Sequence, residues 1–192
     1  MKIKTTVVIA IAISLLCSTM LFGQADIGFK GVGGKLGFID PGGGIGSTIS
    51  LGGVADLGTI IPKIALEASI TYWGKSWDVI GADWKTTCIT IAAIGKYYFS
   101  EPDQQLRPFA GAGLGLNYSS FSYDTPVFNQ QTGTWGTDEK TDSDADIGLH
   151  MVGGANYRLS DSMDGFAEFR WVNGGDWDYW GIYAGVIFNL NK

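Results

Sequence analysis

Glu67 stands inside KIALEASITYW (63–73), a run in which most side chains are apolar. FAEFRW (166–171) repeats the pattern, with Glu168 and Arg170 on one parity and Ala167, Phe169 and Trp171 on the other. Carboxylates shut away from water are costly alone, so chemistry here means charge pairing. We expect an interior ion-pair network in which Glu67 and Glu168 are shared among Lys30, Lys96 and Arg170. Arg107, Arg158 and Asp56 lie nearer one end of the same face.

Other reactive types give weaker signals. His150 is the single histidine, between Gly148 and Val152, with no serine within two residues. It reads as a member of a hydrogen-bonded interior and not as a general base. TDSDADIG (141–148) sets Asp142, Asp144 and Asp146 at alternate positions, like the start of a calcium loop. The match then fails, because Ile147 stands where the loop needs glycine and Gly153 where it needs glutamate. A solvated acidic loop tip is the reading, with weak divalent-ion binding as the subordinate one. Cys88 reads as a small packed side chain. No cofactor or metal site follows from these residues, and no catalytic residue is assigned.

What must position the charges is a set of strands. Period-two alternation recurs in ISLGGVADL (49–57), residues 63–73, KTTCITIAAIGKYYF (85–99) and RPFAGAGLGLNY (107–118). It continues through DIGLHMVGGANYRL (146–159), 166–171 and YWGIYAGVIFNL (179–190). A first strand over about 26–40 is less regular, because Ile27 and Phe29 sit on odd positions and Leu36 and Phe38 on even ones. A bulge at Gly33-Gly34 would restore its register. That makes eight strands with no helical period after residue 25. Short turns (58–62, 100–106, 160–165) alternate with longer loops (73–84, 119–143, 173–178), the plan of an up-and-down barrel.

The segment before residue 25 is a targeting signal. Lys2 and Lys4 precede an apolar stretch from Val7 to Leu16, and Gly23-Gln24-Ala25 offers small residues for cleavage. We expect residues 1–25 to be a signal peptide and 26–192 the barrel domain. The mature chain then holds one cysteine and no internal disulfide. A net charge of -6 argues against nucleic acid as a partner.

A soluble barrel puts its apolar face inside, whereas a membrane barrel puts it outside. Here the polar face is sparse and rich in glycine and small hydroxyl residues, which suits a narrow interior better than a solvated surface. On the apolar face Tyr97, Phe99, Tyr157 and Phe188 fall near the short turns. Tyr72, Tyr118, Trp171 and Trp180 fall near the long loops. Two aromatic belts around an aliphatic band suit the two bilayer interfaces. The fold class is therefore all-β: an eight-stranded antiparallel up-and-down transmembrane β-barrel, its interior plugged by the ionic side chains.

RPFAGAGLGLNY, GLHMVGGANYRLSD and FAEFRW resemble the small OmpA/OmpX-like outer-membrane β-barrel proteins. The resemblance covers the mature chain and rests on alternation and glycines. It implies residence in the outer membrane of a Gram-negative cell, both termini in the periplasm, and interior salt bridges that Glu67, Glu168 and Arg170 would supply. One departure is the end of the last strand, Asn191-Lys192 in place of an aromatic. The implied function is non-enzymatic: a structural role in the envelope, with surface loops mediating adhesion. Outer-membrane lipid and lipopolysaccharide are the implied partners. A host or matrix ligand is expected at the loops, where Phe121, Tyr123, Phe128 and Trp135 mix with polar residues. Two alternatives stay open: a lipid A acyl-modifying enzyme, and a soluble barrel carrying a hydrophobic ligand.

Overall fold

Alternating side chains become eight strands: β1 (Asp26–Asp40), β2 (Thr48–Ile61), β3 (Ile64–Val79), β4 (Ala82–Tyr98), β5 (Leu106–Asn129), β6 (Thr134–Ser160), β7 (Met163–Asn173) and β8 (Tyr179–Asn189). The structure, a computed structural model, describes residues 25–79, 82–129, 133–174 and 178–190. The expected leader lies outside the described residues. Each strand pairs antiparallel with the next, and β8 returns to β1, so the sheet closes into a barrel. Closure matters physically because hydrocarbon offers no partner for an open sheet edge.

The apolar face points outward. Ile70 is 50% exposed and Leu114 60%, whereas Glu67 is 5% and Arg170 1% exposed. Both expected aromatic belts also lie on the outer surface. A water-soluble barrel would carry the reverse arrangement.

Two expectations need correction. The irregularity in β1 lies between Ile27 and Gly31, not at Gly33-Gly34, where pairing with β2 is continuous. Gly58, at φ 85°, takes the left-handed conformation opposite this bulge, and its N–H bonds the Asp56 carboxylate. The long loops are also shorter than expected. β5 and β6 pair without interruption out to Asn129↔Thr134, and β3 and β4 out to Val79↔Ala82. A hairpin satisfies its own backbone groups strand against strand, so the ladder persists where neither face is buried.

A strand needs about 9–11 residues to cross the hydrocarbon. β7 and β8, at 11 residues each, have little more than that. β5 and β6, at 24 and 27 residues, carry more than twice the requirement, so a sheet stands beyond the barrel.

Glycine on the inner face permits close strand approach. A Cβ on Gly113 would fall on the Ala93 carbonyl oxygen and against the Ile94 backbone. Backbone cannot step aside as a side chain can. Gly113→Val should therefore destabilise the barrel by about 3 kcal/mol through overpacking. A gel assay of the heat-modifiable folded band should show it depleted; an unchanged folded fraction would contradict this account.

Candidate functional site: the barrel interior and its short-turn mouth

Inward parity delivers the charged side chains to the axis from four strands. Glu67 comes from β3, Lys96 from β4, Glu168 and Arg170 from β7, and Lys35 from β1. Lys96 Nζ lies 2.6 Å from Glu67 Oε2 and 2.9 Å from Glu168 Oε2, bridging the two acids. Arg170 donates from Nε to Glu168 Oε1 at 2.9 Å, and its Nη2 lies 2.7 Å from the same oxygen. Arg170 Nη1 donates to the Ser69 hydroxyl at 3.0 Å, while Nη2 lies 3.8 Å from Glu67. Aromatic faces supply further contacts: Lys96 Nζ lies 4.4 Å from the Phe109 ring centre, and Lys35 Nζ 4.8 Å from that of Tyr183.

Of the five residues expected in one network, the structure brings together Glu67, Lys96, Glu168 and Arg170. Lys30 is not among them. It pairs with Asp26 at 2.7 Å near the short-turn end. Lys35, not foreseen, lies 3.7 Å from Glu168 instead. The ladder explains the exchange. Glu168 is level with Tyr183, and Tyr183 with Gly37, only two residues beyond Lys35 on β1. Lys30 precedes the point at which β1 begins to pair with β8, at Gly31. The signal that could have found Lys35 is its shared parity with Gly37 and Ile39, both buried.

Packing fills the remainder of the interior. Ala92, Ile94, Phe109 and Val152 form one buried cluster, Val54, Phe166 and Ile187 a second, and Ile39, Trp73, Cys88 and Tyr183 a third. At the short-turn end a mouth of about 180 Å³ is lined by Lys30, Lys63, Arg107, Asp26 and Asp56. Its cations are paired: Arg107 with Asp164 at 3.6 Å, and Lys63 with Glu101 at 2.7 Å. The hydrogen bond to Glu101 raises the Lys63 ammonium above the ordinary lysine pKa. The next hollow inward, beside Glu67 and Lys96, measures only about 20 Å³, room for little more than one water.

His150 is fully buried, and neither ring nitrogen has a hydrogen-bond partner among the described residues. Its ring lies against Gly115. A general base needs an oriented partner on one nitrogen and a reacting proton near the other, and this geometry supplies neither. Asp142, Asp144 and Asp146 run along one strand, where same-face neighbours stand about 6.8 Å apart, too far to converge on one ion. Among the described residues no group of three potential metal ligands comes together.

The barrel shares its architecture with solved outer-membrane proteins. Neisserial surface protein A is 21% identical, with 83% of this chain and 96% of that chain covered and a TM-score of 0.60. A major outer membrane protein of Thermus thermophilus is 14% identical, covering 83% of this chain and 98% of that one, with a TM-score of 0.54. The attachment invasion locus protein Ail of Yersinia pestis is 8% identical, covering 84% and 97%, with a TM-score of 0.50. These likenesses concern the fold. No curated protein matches the chain significantly. The family model for the outer membrane protein beta-barrel domain matches residues 8–189. An outward apolar band, a closed sheet and an ion-filled interior thus accompany a match over almost the whole sequence, and the chain belongs to the outer membrane protein beta-barrel family.

Proposed function

We propose that this outer-membrane protein is a non-enzymatic barrel that supports the envelope and presents a protruding sheet for adhesive contact with host or matrix ligands. The observation that carries the reading is the surplus length of β5 and β6. β4 leaves β5 at Tyr123, and β7 leaves β6 at Leu149, yet the hairpin continues to Asn129↔Thr134. Ordered structure beyond the bilayer adds nothing to anchoring, so its use lies in contact. The short turns and both chain ends face the periplasm in this reading, and the outer leaflet's lipopolysaccharide surrounds the loop-end belt. Residues 1–25 act as a cleaved leader, which intact-mass measurement of the membrane-inserted protein would test.

Deleting residues 124–140 shortens the hairpin at positions where it pairs only with itself. Adhesion of cells bearing this variant should fall several-fold while the folded band in a heat-modifiability gel stays the same. Unchanged adhesion would remove the contact role. The lipid A-modifying alternative lacks support at His150, and mass spectra of lipid A with and without the protein test it independently. An added or lost acyl chain that depended on the protein would overturn the non-enzymatic reading.

A further inference from the structure

Toward the loop end of the interior, Trp73, Thr86, Asn117 and Asp146, from four successive strands, line a hollow of about 10 Å³. The first three are almost wholly buried, at 2%, 1% and 8% exposure. Each carries a polar atom with no hydrogen-bond partner among the described residues: Trp73 Nε1, Thr86 Oγ1 and Asn117 Nδ2. Trp73 Nε1 lies beside the Cys88 thiol, a weak acceptor, and the Asn117 side-chain oxygen already accepts from Thr90 at 2.7 Å. Two of the three unmet groups are therefore N–H donors and the third is a hydroxyl. Half-buried Asp146 adds an acceptor to the same lining.

Buried polar groups are normally satisfied, so the lining selects its guest by complementarity. That guest must accept from two N–H groups, donate to a carboxylate and be no larger than a water molecule. An ammonium has no lone pair to accept with, and a carboxylate would face Asp146. A hydroxyl meets all three demands, and it can displace a water from such a place without losing hydrogen bonds. Three rings of the same parity stand beside and above the hollow: Thr86 is level with Phe121, and Trp84 with Tyr123. Trp84 meets Phe121 edge-on at 65° and 5.4 Å, and Tyr123 nearly parallel at 30° and 5.7 Å, so the rings form a corner. All three are half-buried, which leaves part of that corner open. Across the ladder Lys140 is level with Tyr123, Asp142 with Phe121 and Asp144 with Ser119, so a donor and two acceptors flank the rings.

We infer that this end of the barrel is a binding site for a neutral saccharide. One sugar hydroxyl would sit in the hollow among Trp73, Thr86, Asn117 and Asp146, with the sugar ring against the aromatic corner. Sugars offer apolar C–H faces to aromatic rings, and hydroxyls that both donate and accept. They therefore answer the rings, the N–H donors and the carboxylates together. A sulfated or sialylated chain would instead bring anions beside Asp142, Asp144 and Asp146, against one lysine in that row. The inference deepens the contact role proposed above by naming the ligand's chemistry, and it rests on that reading.

The test applies the full barrel, in a detergent without a sugar headgroup, to immobilised oligosaccharides ending in glucose, galactose, mannose or N-acetylglucosamine. Sulfated and sialylated chains are printed beside them. Neutral chains should retain the barrel and the anionic ones should not. The retained saccharide is then titrated calorimetrically against variants. Thr86→Val, which keeps the shape and removes the hydroxyl, should weaken binding about five-fold, and so should Trp73→Phe, which removes the N–H. Phe121→Leu should weaken it by a similar factor through the lost ring, about five-fold, whereas Asp161→Asn at the opposite end should have no effect. Each variant is first checked for the heat-modifiable folded band, and Tyr123→Leu replaces Phe121→Leu if the latter misfolds. Retention by no neutral chain would overturn the inference and leave the hollow to a water molecule. Equal retention by sulfated chains would also overturn it, as would wild-type affinity in both Thr86→Val and Trp73→Phe. If no saccharide binds but deletion of 124–140 still reduces adhesion, the saccharide site falls and the contact role stands. Saccharide binding with adhesion unaffected by that deletion gives the converse.

Discussion

Arg170→Met is expected to lower the unfolding free energy of the barrel by about 3–5 kcal/mol, the cost of stripping a buried ion pair of one partner. Arg170 is 1% exposed and holds Glu168 Oε1 through Nε and Nη2. Its removal leaves Glu168 with Lys96 on its other oxygen and Lys35 at 3.7 Å. It also leaves Ser69 without its donor. Lys35→Met makes the informative comparison. The interior cluster holds three cations, Lys35, Lys96 and Arg170, against two carboxylates, Glu67 and Glu168. Neutralising Lys35 balances that count and removes only the longest contact to Glu168, so its effect should stay within about 1 kcal/mol, as for pairs replaced without stranding a charge. Urea titrations in lipid vesicles, followed by tryptophan fluorescence, give both values. Equal losses in the two variants would mean that total charge, and not pairing geometry, sets the energy of the interior.

The second large effect belongs to the outer surface. Leu114→Arg should cost about 2–4 kcal/mol, as cations do near the bilayer midplane of a transmembrane barrel. Leu114 is level with Ala93 on β4 and Leu149 on β6, in the aliphatic band between the aromatic belts. Tyr97→Arg, in the belt at the short-turn end, should cost only about 0–1 kcal/mol, because a long cation there reaches the headgroups. The same vesicle titration compares them. Should Leu114→Arg prove neutral while Tyr97→Arg is costly, the position of the band along the strands is wrong.

The two faces of each strand were legible before any coordinate was known because side-chain parity is a local property. Every residue two steps along a strand returns to the same side, whatever its neighbours do. Glu67, Glu168 and Arg170 were therefore placed indoors from their sequence neighbours alone, and the aromatic belts on the outside. The strand ends were less legible. Phe121 to Asp142 reads as polar, aromatic and acidic, a loop by composition, yet the hairpin ladder runs through it. Hydrogen bonds between two strands need no buried face, so composition carries little information about where such a ladder stops.

Depth along the barrel is where the sequence ran out. The short-turn ends of different strands are not level with one another, because strands in a closed sheet are tilted and staggered. Counting residues from the turns placed Lys30 beside Glu168, whereas the β1–β8 and β7–β8 registers place Lys35 there. The clustering of the Trp84, Phe121 and Tyr123 rings likewise depends on the pairing of β4 with β5. The sequence by itself determined which side chains face lipid and which face the axis, since that follows from a two-residue period within each strand. Only the tertiary structure decided which of the inward groups meet, because contact across a barrel depends on register between strands far apart in the chain.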